Sequence, residues 1–138
     1  MKTLSFVFCA CLFLFAGADL GTAQESKDKK PDPREKVETA IPKAIALLEE
    51  KKYAEMLRKF MPPEELKRIP KAKNLEEFAD RFGKQQAPHL LKALKQLKDI
   101  KPIFSDDKKE VEYKLKEAIS GKDSLKFVKI DKYWYIQN

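Results

Sequence analysis

No cysteine lies beyond residue 11: Cys9 and Cys11 are the only two in the chain. Both fall in a stretch with the pattern of a cleaved signal, so the predicted mature chain has no thiol nucleophile, no disulfide and no cysteine-based metal site. An oxidising compartment permits disulfides without demanding them, and stability must then come from packing. Histidine occurs once, as His89, and the four glycines form neither a phosphate-cradling loop nor a nucleophile elbow. Ser26, Ser105, Ser120 and Ser124 sit in tether or loop-like positions. A serine or cysteine triad is excluded by this inventory.

The remaining chemistry is sparse. His89 follows Pro88 at a helix start, where it could act as a general base only if it faced a carboxylate across a cavity. An enzyme using His89 or a buried carboxylate is thus one reading, but no catalytic residue is assigned. Glu49-Glu50, Glu64-Glu65 and Glu76-Glu77 are neighbours on helices and point about 100° apart, so they are not acid/base dyads. One histidine among scattered Asp and Glu has no metal-ligand spacing, and no cofactor is expected. Ser105-Asp106-Asp107 could hold Ca²⁺ weakly, although hairpin-turn hydrogen bonding accounts for the same residues.

What is present begins with targeting. Lys2 is followed by an apolar run from Leu4 to Phe15 and by small residues, with cleavage expected after Ala23. The run is short of the ~20 residues a membrane span needs, so no transmembrane span is expected in the mature chain. Residues 1–23 are read as the signal peptide, 24–32 as a flexible tether and 33–138 as a single domain, periplasmic or secreted. The chain has 29 Lys+Arg against 22 Asp+Glu, a net +7. Loss of Lys2 and Asp19 with the signal leaves that excess unchanged. A basic exported protein could be drawn to an anionic envelope surface, yet Lys and Glu alternate nearly everywhere, as on ordinary solvated faces. The clusters Lys67, Arg68, Lys71, Lys73 and Lys84, Lys92, Lys95, Lys98 are poor in arginine and exposed aromatics, so no specific nucleic acid is expected.

The pattern along the domain is helices first, strands last. Asp32, Pro33 and Glu35 make a capped helix start, and Val37, Ile41, Ala44 and Leu48 form one apolar stripe. Pro42 predicts a kink in this helix. Tyr53–Met61 is a second helix, Pro63 or Glu64 opens a turn reaching Ile69, and Asn74 caps a helix closed by a left-handed Gly83. Gln85–Lys98 carries the stripe Leu90, Leu91, Leu94 and Leu97. After Ile100 the period changes to two. Pro102 marks an edge strand, and Glu110–Lys116 alternates Val111, Tyr113 and Leu115 against charged residues. Ser124–Asn138 (SLKFVKIDKYWYIQN) reads as two strands of a hairpin turning at Asp131-Lys132. The predicted class is α+β: a kinked N-terminal helix and several short helices on a curved C-terminal antiparallel meander of about four strands.

The F-M-P-P-E-E-L run at Phe60–Leu66 and the terminal FVKIDKYWYIQN carry a resemblance. Over roughly residues 33–138 the chain resembles small exported cystatin-like α+β proteins of the nuclear-transport-factor-like cone fold. It departs from them in having Lys132 where many relatives place glycine in the last turn, and in having fewer strands. That fold hosts enzymes, ligand binders and inert partner modules, so the resemblance does not decide function.

Both parities of the terminal hairpin are apolar. One face should meet the helices, and the other needs a cover: a pocket, a partner subunit or the chain itself. The expected role is a non-enzymatic binding or interaction module, with a small apolar ligand held beside Tyr113, Phe127 and Trp134. The alternative is a homodimer or envelope-associated structural protein, joined through an exposed Tyr133 or Tyr135.

Overall fold

A computed structural model of the chain describes residues 30–69 and 74–137. The predicted signal, Lys71, Lys73 and Asn138 lie outside the described residues. Pro31–Asn138 forms one compact unit. Its helices are α1 (Val37–Glu49), α2 (Tyr53–Phe60), α3 (Pro63–Arg68), α4 (Leu75–Gln85) and α5 (Ala87–Gln96). Four strands follow: β1 (Ile103–Phe104), β2 (Glu110–Ile119), β3 (Lys122–Ile130) and β4 (Tyr133–Gln137). They form an open antiparallel meander in sequence order. The α+β class is thus as the period change implied.

The stripe of α1 is buried as its spacing predicts, with Ala40 and Leu47 beside it. The break in the N-terminal helical run falls earlier than expected. Asp32 caps a short 3₁₀ turn over Pro33–Glu35, and Lys36 then goes extended before α1 begins. Pro42 is accommodated inside α1 on its exposed side, where the carbonyl of Glu38 loses a partner near the helix start.

Gly83 also differs from expectation. It lies within α4 rather than at a left-handed C-terminal position. Its reason is space. A Cβ there would run into the ring of Tyr53, which packs edge-on against Phe82 at 6.2 Å. Gly83→Ala should lower stability by about 1 kcal/mol, because overpacking outweighs alanine's gain in helix propensity. In a Tyr53→Ala background the same change should become stabilising. Chemical denaturation of the four proteins of this cycle checks it, and an unchanged sign would refute the steric cause.

One face of the sheet carries Val111, Tyr113, Leu125, Phe127, Trp134 and Ile136, all buried with the helices. This face is strongly concave. Phe104 of β1 and Trp134 of β4 stand on opposite edges of the sheet, yet their rings meet at 6.3 Å. Strands lie about 4.8 Å apart, so a flat sheet would hold those edges roughly 14 Å apart. Curling lets Phe104 close one end of the concavity over the inner strands.

The opposite face of β4 is covered by the chain itself. Arg34, from the 3₁₀ turn, lies 4.3 Å over the Tyr133 ring and 5.9 Å from that of Tyr135. Tyr135 is buried and Tyr133 half-buried, so neither is the exposed tyrosine a subunit interface was expected to use. Among the described residues the exposed large apolar side chains are Ile103 (51%) and Phe104 (43%) on β1. In the β3–β4 turn the left-handed residue is Asp131, with φ 56°. Lys132 does not need glycine's freedom, and aspartate tolerates that region better than most residues.

Candidate functional site

The three residues expected to line a pocket fill the core. Tyr113 and Phe127 stack edge-to-face at 5.9 Å, and Trp134 is sealed by Phe104. Burial pushes the Tyr113 phenol above its ordinary pKa. The open space lies further along the same concave face, at the β2–β3 tip. There a groove of about 420 Å³ runs between α4–α5 and the sheet.

Its helical wall follows from spacing. Phe82, Gln85, Gln86, His89, Leu90 and Ala93 recur at three- and four-residue intervals across the α4–α5 junction, so they share one face. The leucine stripe read from the sequence divides here. Leu94 and Leu97 go to the core, and Leu90 turns to the groove.

The sheet wall depends on an irregularity. β2 and β3 pair regularly as far as Lys114 with Ser124, and the register then shifts before Ile119 pairs with Lys122. A bulge of this kind bends its strand and leaves backbone groups unpaired. Gln96 of α5 supplies the missing partner. Its Oε1 accepts from the backbone N–H groups of Lys116 (3.0 Å) and Glu117 (3.1 Å), and its Nε2 donates to the Glu117 carbonyl at 3.3 Å. Ser120 and Gly121 close the tip in left-handed conformations, which makes β2–β3 a tight hairpin and not the loop expected before Ser124. Leu115, Ile119 and Leu125 floor the groove, with Ser120, Lys122 and Ser124 around it.

Gln96→Ala should expose the bulge and cost about 1–3 kcal/mol, since two backbone donors lose their acceptor together. Amide hydrogen exchange at Lys116 and Glu117 should accelerate far more than at Val111 or Tyr113. Unchanged protection at 116 and 117 would remove the clamp.

The groove is apolar at depth, from Phe82, Leu90, Ala93, Leu115, Ile119 and Leu125, and polar at its mouth. Gln85, Gln86, His89, Ser120 and Lys122 are exposed there, and Ser124 is half-buried. Among the described residues no aspartate or glutamate is on the lining. His89 therefore meets no carboxylate in the groove. None of the described Asp or Glu residues is buried. At the β1–β2 turn, Asp107 is engaged locally. It accepts from the Ser105 hydroxyl at 2.6 Å and the Lys109 N–H at 3.1 Å, and these bonds hold its pKa below the usual carboxylate range. Many surface lysines are paired, among them Lys95 with Glu49 at 2.7 Å and Lys92 with Glu117 at 3.4 Å.

Leu90 and Leu115 are apolar positions of a helical stripe and of the β2 alternation, and neither local period brings them together. Gln85, Gln86, Ala93 and Ile119 carried no signal beyond the helical spacing and the β2 alternation. The bulge shows in no motif, because the Gln96 side chain that satisfies it comes from another element.

No family model, curated protein or solved structure matches the chain. Fold and groove define its class directly: an α+β domain with an open, four-stranded antiparallel sheet, helices in its concavity, and one end of that concavity unfilled. Among the described residues no helix is long and apolar enough to cross a membrane.

Proposed function

We propose that the protein is an exported, non-enzymatic binding module that takes a small, largely apolar ligand into the groove between α4–α5 and the β2–β3 tip. The observation that carries this reading is the groove itself. Its volume of about 420 Å³ falls in the range of small-molecule sites, and its apolar depth and polar mouth are their usual chemistry. On this reading the ligand sits not beside Tyr113, Phe127 and Trp134 but farther along their face, against Leu115 and Leu125. The non-enzymatic reading is supported by an exposed His89 with no carboxylate among the described residues across the groove from it. Export is supported by the N-terminal pattern, with a mature protein beginning at Gln24. The concave meander with helices packed inside it supports kinship with the cystatin-like cone fold.

The test uses a neutral, environment-sensitive apolar dye with purified mature protein. Saturable binding should occur with the wild type and be lost in Ser124→Trp and Leu115→Trp, each of which adds bulk to the groove. Circular dichroism should show both variants folded. Equal dye binding by folded wild type and both variants would overturn the reading.

A further inference from the structure

We propose that the groove selects an uncharged single-chain amphiphile whose head both donates and accepts hydrogen bonds, a fatty alcohol or a fatty amide. Its tail lies against Phe82, Leu90, Leu115 and Ile119, and its head at Gln85, Gln86 and His89. This inference rests on the reading of the groove as a ligand site and adds the chemistry of the ligand's head. Gln85 stands four residues before His89 and Gln86 three, so all three share the helical wall, and all three are exposed at its rim. Each glutamine amide carries two N–H donors beside a carbonyl acceptor, and a neutral imidazole donates at one nitrogen and accepts at the other. A hydroxyl or amide head is matched to such a rim in both senses at once.

Charge has no part in the choice. Among the described residues the lining holds no aspartate or glutamate, so a cationic head meets no counter-charge there. Lys122, the one lysine or arginine among the described lining residues, is already engaged within the protein and is given no role in holding the head. An ionised head brought to this rim exchanges water for neutral groups and gains no ion pair. A neutral head exchanges hydrogen bonds with water for hydrogen bonds with the amides. An acceptor-only head, such as a methyl ether, uses the N–H donors and leaves the amide carbonyls to water. The rim is exposed, so the gain is that of a solvated hydrogen bond and is modest.

The experiment measures displacement of the neutral dye from the mature protein by amphiphiles of equal chain length that differ only in the head: alcohol, primary amide, methyl ether, carboxylate and trimethylammonium. Apolar transfer alone would rank the ether first, because its head costs least to take from water. The alcohol and the amide should instead displace the dye roughly 3–10-fold more tightly than the ether or either ion, as expected for one net hydrogen bond. High salt should leave that ranking unchanged. Gln85→Leu combined with Gln86→Leu should bring the alcohol and amide within about twofold of the ether without weakening the ether, since only the matched hydrogen bonds are lost. Circular dichroism should show this variant folded. If the ether or an ion matches the alcohol and amide, or if their preference survives the double substitution, the head proposal is overturned while the groove stands. If none of the five displaces the dye and the dye ignores Ser124→Trp and Leu115→Trp, the groove reading has failed first.

Discussion

Phe127→Ala should lower unfolding free energy by about 3–5 kcal/mol, the range for removing a buried aromatic ring. Phe127 is fully buried, at 0% exposure, in the middle strand of the hairpin stack. It pairs in register with Val111 on β2 and Ile136 on β4, and the Tyr113 ring meets it edge-on. Removing the ring strips a contact from all three strands at once, and the curled sheet cannot flatten to close the void without parting Phe104 from Trp134. Domains of this size are stable by only about 5–15 kcal/mol. A fall in Tm of roughly 15–30 °C is therefore expected by calorimetry. Phe127→Leu, which keeps most of the volume, should cost about 1–2 kcal/mol. A loss below 1 kcal/mol for the alanine variant would mean the concave face is not packed around this ring.

The second large effect is expected at Arg34. Its guanidinium makes two bonds to Asp32, at 3.0 and 2.8 Å, and a third to the Lys59 carbonyl at 3.0 Å, while its plane covers Tyr133. This one side chain joins the 3₁₀ turn, the end of α2 and the outer face of β4. Arg34→Ala should cost about 2–3 kcal/mol, from charge-assisted bonds together with lost aromatic cover. Arg34→Lys should recover little, because an ammonium cannot reproduce the planar fork. Greater exposure of Tyr133 and Tyr135, seen as quenching by a small neutral quencher, would accompany the loss. Full rescue by lysine would show that charge alone matters there.

The same contact sets an acid response. The Arg34 guanidinium beside Asp32 holds its carboxyl at about 2, against an ordinary 3.8. A pKa depressed in the folded state means stabilisation that is complete above about pH 4 and disappears as the pH falls through 2. Asp32 keeps contact with water, so the amount is about 1 kcal/mol after solvent screening. Asp32→Asn should flatten the stability profile in that window and leave it parallel to wild type above it. An unaltered slope between pH 4 and 2 would refute the assignment.

Arg34 also shows where sequence reading stops. The sequence places Asp32 at a helix start, and a cap is there. Nothing local says that the next turn will lie across two tyrosines a hundred residues later. Both apolar parities of the terminal hairpin were visible as a demand for cover. On β4 the cover proved to be residues 33–35, near a predicted tether boundary. Gly83 taught a similar lesson: a glycine near a helix end suggests a left-handed stop, whereas here the cause is the ring of Tyr53 from another helix.

By itself the sequence determined the elements and their inner faces. The spacing of Val37, Ile41, Ala44 and Leu48 and the alternation of Val111, Tyr113 and Leu115 are local periods, and burial of one side follows from them wherever the element docks. Tertiary structure alone decided how far the sheet curls, that Phe104 meets Trp134 across it, and that Gln96 holds open a bulge in β2. The sheet wall of the groove includes Leu115 and Ile119, on either side of the residues that Gln96 holds. Filled and open parts of the same concave face are lined by the same kinds of residue, and the register shift separates them. That shift is satisfied by a side chain from α5, a long-range pairing that no local pattern encodes.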